Sequence, residues 1–207
     1  MVPGARTVLL SVALLGLWLP SVPASKPSSK PASKPAAQPA GSHPQASALP
    51  MDVGDARAVV LFFIASDCPI SNRYLPEMLR IEGTFAPQRV RFFFVYPNAT
   101  ETPETIRAHR AAYGIPQNTL TDSREVLARL AGANVTPEAA VLIPQGHTLR
   151  PVYTGRIDDR YLSLGTERPA ATRHDLEDAL AALLANRAIP PPGGPPVGCA
   201  FMTLPAK

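Results

Sequence analysis

RAVVLFFIASDCPISNRYLP, residues Arg57 to Pro76, is the stretch on which the reading of this chain turns. Ala58 to Ile64 is an unbroken apolar run long enough to cross a sheet. It stops at the small polar turn Ala65, Ser66, Asp67, and the chain then presents Cys68 and Pro69 where a helix should begin. This is a strand feeding a cysteine onto a helix N-terminus. The first-turn N–H groups of a helix are unpaired and carry partial positive charge, a setting that favours thiolate over thiol. Pro69 suits the first helical position, because the donor it lacks would have had no partner there. The plainer reading is that Cys68 is a small buried hydrophobe at a strand end.

The chain has 207 residues, enough for one domain of ordinary size once the ends are set aside. Met1 to Arg6 is short and basic, Thr7 to Leu19 is apolar, and Val22, Pro23 and Ala24 are small. That order predicts a secretory signal peptide over residues 1–24, cleaved after Ala24. Its apolar run of about thirteen residues falls short of the roughly 18 to 20 that cross a bilayer. The expectation is therefore a secreted or periplasmic protein with no membrane span after cleavage. Residues 25–50 mix lysine, proline, alanine and serine, offer almost nothing to bury, and read as a disordered linker. The formal charge of +4 falls to about +3 without Arg6, and Lys26, Lys30 and Lys34 on the linker account for that remainder. The folded part is near neutral, which gives no basis for a nucleic-acid surface. Two cysteines, Cys68 and Cys199, form an even set that can pair in an oxidising compartment.

Along residues 51–187, helical spacing puts Tyr74, Leu75, Met78 and Leu79 on one side of the first helix, with a kink expected at Pro76. Arg89 to Tyr96 is a second buried strand. A helix starts at Thr102 and Pro103, presents Ile106, Arg110 and Tyr113, and ends at Gly114, leaving His109 as a surface or half-buried structural residue. Asn118 to Leu120 is a candidate extra strand. Asp122 with Glu125 suggests a capping box for a helix through Leu130 that Gly132 ends. Thr136 and Pro137 precede the apolar strand Ala139 to Ile143, and a proline there belongs at a strand start or in a special turn. Gln145 to His147 turns the chain into the strand Leu149 to Ile157, an edge strand to judge from Pro151. Arg156 to Tyr161 is a charge-dense loop that either borders a site or is tied by its own ion pairs. Thr172 and Asp175 open a last helix with a stripe of Leu176, Ala179, Leu180, Leu183 and Leu184. Residues 188–207 are a proline-rich tail carrying Val197, Gly198, Cys199 and Phe201.

Cys68, Pro69, Ile70 and Ser71 at a helix start, with Pro76 eight residues after the cysteine, resemble the thioredoxin superfamily, and most nearly its secreted redoxin-domain members. The second motif position holds Ser71, as in Cys-Pro-x-Ser variants, so no disulfide can form within the motif. Ala65 and Leu61 stand where the peroxiredoxin motif has threonine or serine and proline, which implies weak peroxidase activity or none. The resemblance implies a thioredoxin-like α/β fold with a central mixed sheet flanked by helices and an inserted strand and helix before the proline. It implies that Pro137 is cis, packed beside Cys68, with the backbone before it pairing with a bound polypeptide.

Three functional readings stay open. The first is an exported thiol-disulfide oxidoreductase: Cys68 the nucleophile, Cys199 the resolving cysteine, Thr136, Pro137, Pro69 and Ser71 the substrate face. Asp67 and Asn72 would tune the sulfur, the Asp67 charge opposing the helix. Its partners would be protein thiols or disulfides, or a small oxidised thiol, and it needs no cofactor or metal. The second is a non-catalytic binding or structural module stapled by a Cys68–Cys199 disulfide. The third is a copper-handling relative using both cysteines and His109 or His147.

Overall fold

β1 (Ala58–Phe63) has no exposed residue, because it runs through the middle of a sheet covered on both faces. The computed structural model describes residues 51–202; the expected signal peptide and linker at 1–50, and residues 203–207, lie outside the described residues. After β1 come α1 (Pro69–Phe85), a 3-10 turn over Ala86–Gln88, β2 (Val90–Tyr96) and α2 (Pro103–Tyr113). β3 (Thr119–Thr121), α3 (Val126–Ala131), β4 (Val135–Thr136) and β5 (Glu138–Gln145) follow. The chain continues with β6 (Thr148–Gly155), β7 (Tyr161–Ser163), β8 (Thr166–Glu167), α4 (Asp175–Leu184) and β9 (Cys199–Ala200).

The main sheet has the order β3-β2-β1-β5-β6, parallel across β3, β2 and β1 and antiparallel across β1, β5 and β6. It is mixed, with β6 at an edge as Pro151 suggested. Side-chain alternation divides its strands between two cores. Val60, Phe62 and Ile64 pack with Tyr74, Leu75 and Met78 of α1 and Leu176 and Leu180 of α4. Val59, Leu61 and Phe63 face the other way, onto Leu127, Ala128 and Ala131 of α3. The insert between β2 and β4 supplies α2, β3 and α3, and β3 takes the parallel edge.

α1 runs on through Pro76 to Phe85, with Pro76 on its exposed side. Three local expectations are corrected. α2 turns Ile106 and His109 inward and leaves Tyr113 exposed, so its buried face is rotated from the one expected. Asp122 accepts from the backbone N–H groups of Val126 and Ala128, but Glu125 makes no reciprocal bond and is itself the helix cap, with φ 54°. At α4 the cap position is His174. Thr172 binds Asp159 instead, and Asp175 pairs with Arg156, so no capping box forms.

The tail is docked rather than loose. Gly193 N–H donates to Asp175 at 2.6 Å, Arg156 Nε to the same carboxylate at 2.8 Å, and Ile189 and Val197 pack against the core. β9 pairs antiparallel with β4, setting Cys199 opposite Thr136 and Ala200 opposite Val135.

Candidate thiol site

β1 ends at a turn that three side chains hold in place. Ser71 Oγ accepts from the Ala65 N–H at 3.3 Å, and Glu101 accepts from the Ser66 N–H at 2.7 Å and its hydroxyl at 2.9 Å. Asn72 Nδ2 donates to the Ser66 carbonyl at 3.1 Å. The turn so fixed sets Cys68 at the cap of α1 with Pro69 behind it, in extended backbone (φ −91°, ψ 109°). The Cys68 residue is 1% exposed.

Opposite the turn stands the Thr136–Pro137 peptide, which is cis. Cys68 Sγ donates to the Thr136 carbonyl at 3.2 Å. Glu138, buried next to Pro137, accepts from the Asn134 and Val135 N–H groups and so closes the turn that carries Thr136. Burial pushes the Glu138 carboxyl above its ordinary range, against the pull of those two N–H groups.

β9 brings in the second sulfur. Thr136 Oγ1 donates to the Cys199 carbonyl at 3.5 Å, and the Cys199 thiol lies close enough to Cys68 to be influenced by it. The two cysteines are unbonded thiols in this structure. The Cys199 thiol is pushed up to about 12, first by burial, then by the hydrogen bond and charge of Cys68 and by the Asp67 charge. Such a thiol holds its proton. An open cleft of about 580 Å³, lined by Pro69, Ile70, Arg73, Tyr161, Leu164 and Cys199, leads to its side of the pair.

The structure therefore gathers Cys68, Cys199, Thr136 and Pro137, with Pro69 exposed on the cleft and Asp67 exposed beside them. Ser71 and Asn72 lie behind the turn. Ser71 is fully buried, and Asn72 connects to a group that sequence reasoning placed at the surface or half-buried. His109 is buried, with Tyr96 Oη 2.8 Å from Nδ1 and Asn72 Oδ1 2.8 Å from Nε2. Because Asn72 Nδ2 is used on Ser66, its Oδ1 accepts, so the proton lies on Nε2 and Nδ1 accepts from the Tyr96 hydroxyl. Burial lowers the His109 pKa and keeps the ring neutral. The spacing of Ile106 and His109, three residues apart on one helix face, was the available signal.

With both ring nitrogens engaged, His109 has no lone pair for a metal, and His147 sits exposed on the turn between β5 and β6. Among the described residues, Glu77, Asp158 and His174 form the grouping whose ligand atoms lie within 4.8 Å of one another, and it contains no cysteine. Glu77 is bound to Arg80, and Asp158 accepts from the Tyr74 hydroxyl and the Arg160 N–H. Among the described residues, no helix is long and apolar enough to cross a membrane.

No family model matches the chain, and no curated protein matches it in sequence. Among solved structures it is similar to an uncharacterized conserved protein from Geobacillus kaustophilus, at TM-score 0.62 and 26% identity, covering 73% of this chain and 79% of that one. It is equally similar, at TM-score 0.62 and 25% identity, to a hypothetical protein from Sinorhizobium meliloti, covering 73% and 82%. A putative thiol:disulfide interchange protein DsbE from Chlorobium tepidum is similar at TM-score 0.45 and 18% identity over 62% and 81%, too loosely to transfer a function. The strand order, and a cis proline facing a cysteine at a helix start, give the chain a thioredoxin-like fold.

Proposed function

We propose that this protein is an exported thiol-disulfide oxidoreductase in which Cys68 and Cys199 are a redox pair assembled from the two ends of the domain. The observation that carries the reading is the β4–β9 pairing, which sets Cys199 opposite Thr136, the residue whose carbonyl holds the Cys68 thiol. In reduction of a substrate, the Cys68 thiolate attacks one sulfur of a disulfide R–S–S–R′. A Cys68–S–S–R bond forms as R′S⁻ leaves. Cys199, on losing its proton, attacks the Cys68 sulfur, a Cys68–Cys199 disulfide forms, and RS⁻ leaves. The substrate gains two electrons and the pair loses two; run backwards, the same steps oxidise a dithiol. Cys68 stands at the N-terminus of α1, and Cys199, its thiol pushed up by burial and by its neighbour, holds its proton until the mixed disulfide exists.

Substrates of this reading are protein thiols or disulfides, or a small oxidised thiol, and the cleft beside Pro69 and Cys199 is where they would approach. No cofactor is needed, and export rests on the signal-like order of residues 1–24. Cys68→Ser should abolish exchange with a disulfide substrate, and Cys199→Ser should trap a mixed disulfide on Cys68. Exchange retained in Cys68→Ser would sink the proposal.

The docking of the tail from Gly193 to Met202 favours a second reading, in which the same pair is a permanent staple. The reduction potential separates them: a staple resists reduction by a glutathione buffer, and an exchanging pair equilibrates with it.

A further inference from the structure

Residues 195–202 cross the thiol site with a bend at Gly198 and strand pairing over Cys199–Ala200, and are seated at successive points. Val197 is partly buried against the core and lines a small void together with Tyr74, Pro137, Ile157 and Asp158. Gly198 lies so close to the Thr136 peptide that a Cβ would sit 2.2 Å from its carbonyl oxygen and 2.6 Å from its carbonyl carbon, distances at which backbone would have to move. Cys199 follows, opposite Thr136. Phe201 N–H donates to the Asn134 carbonyl at 3.3 Å, and its ring packs on Phe63 at 6.0 Å between centroids. Met202 N–H then donates to Asn98 Oδ1 at 2.9 Å.

Two features of this seat bear on access. The ladder holding the strand has only two paired residues on each side and is separate from the five-stranded sheet, so opening it breaks no pairing of that sheet. With it closed, Cys68 is 1% exposed, and nothing external reaches the sulfur. The seat is also selective by shape, since only a residue without a Cβ fits against the Thr136 carbonyl.

We propose that residues 195–202 fill in cis the β4 edge that the thioredoxin-like resemblance reserves for a bound polypeptide, that the seat there requires glycine directly before cysteine, and that an incoming chain reaches Cys68 only by displacing this segment. The backbone of Asn134 to Thr136 supplies the pairing, the Thr136 carbonyl enforces the glycine, and the Phe63 ring receives an aromatic side chain two residues after the cysteine. The proposal rests on the reading of Cys68 as the reacting sulfur, but it concerns access alone.

The test uses the full chain in reduced form and reads modification of Cys68 by iodoacetamide, located by peptide mass spectrometry. Gly198→Val should raise that rate by about tenfold or more by unseating the tail. Phe201→Ala, which trims only the far anchor, should raise it less and in the same direction, and keeps the test decisive if the first variant does not fold. Added to Gly198→Val, a synthetic peptide of residues 195–202 with serine for the cysteine should slow modification again as its concentration rises. The same peptide with valine for the glycine should not. Unchanged Cys68 reactivity in variants that retain their circular dichroism and melting transition would overturn the proposal, as would equal protection by the two peptides. Loss of the exchange activity itself would defeat the oxidoreductase reading and leave these rates unaffected.

Discussion

The Cys199 thiol is defined by what surrounds it: burial, the Cys68 sulfur and the Asp67 carboxylate all favour its protonated form, burial most. In reduced protein its alkylation should therefore rise only at strongly alkaline pH. Replacing Cys68 by alanine removes the hydrogen bond and the charge but not the burial. The Cys199 pH-rate profile in Cys68→Ala should shift toward the ordinary value of 9.0 without reaching it, as alkylation followed by peptide mass spectrometry would show. A profile that does not move would mean that the two sulfurs do not interact. The positions of Cys68 at a helix start and Pro137 before a strand were legible in the sequence because each follows from its immediate neighbours, a strand end before one and a strand start after the other. Asn72 and His109 lie 37 residues apart, and nothing local to either residue announces their bond.

At the scale of elements, α2 is fastened to the start of α1 through His109, Asn72 and Ser66, a brace that needs a neutral ring. The sign of its pH dependence follows from the lowered pKa. Below the ordinary value of 6.5 the unfolded chain takes up a proton that the folded chain refuses, so stability is complete above that pH and falls as pH drops through the window beneath it. Glu138 and Asp158, both raised by burial, act with the opposite sign: their contribution is present at low pH and lost as pH rises through their folded values. The melting temperature of the wild type carries all three effects, and the difference from His109→Gln isolates the first. That variant should lose less stability than wild type between pH 6.5 and more acid conditions, and parallel curves would refute the brace.

A second element-scale device is the Arg156–Asp175 pair, buried at 15% and 2% side-chain exposure, which joins the end of β6 to the start of α4 and receives Gly193 of the tail. Arg156→Ala strands the Asp175 carboxylate without its partner. It should destabilise the fold by about 3 to 5 kcal/mol, read by urea denaturation, while loosening the tail enough to speed Cys68 modification. Both effects belong to one variant because one carboxylate serves the helix and the tail.

For the whole molecule, the consequence of joining Cys68 to Cys199 is a closed loop of about 130 residues, nearly the entire described fold. The chain-entropy model assigns such a loop about 5 kcal/mol of added stability. Oxidised protein should therefore unfold at higher denaturant than reduced protein, and Cys199→Ser should show no dependence on redox conditions. Equal midpoints for oxidised and reduced wild type would mean that the pair does not close within one chain.

The sequence alone determined the parts of this protein whose causes are local. The unbroken run Ala58 to Ile64, the cysteine and proline at a helix start, and the apolar stripes of α1 and α4 follow from periodicity and from the backbone chemistry of proline. So does the order of strands and helices that implied the thioredoxin-like fold. Tertiary structure decided what depends on residues distant in the chain. It turned His109 inward, drew Asp122 and Asp175 into bonds that no capping-box pattern describes, and laid the tail against β4 so that Gly198 meets the Thr136 carbonyl. Sequence spacing states which groups a segment offers; which of them meet is set by how sheet and helices pack, and that packing is what places Cys199 beside Cys68.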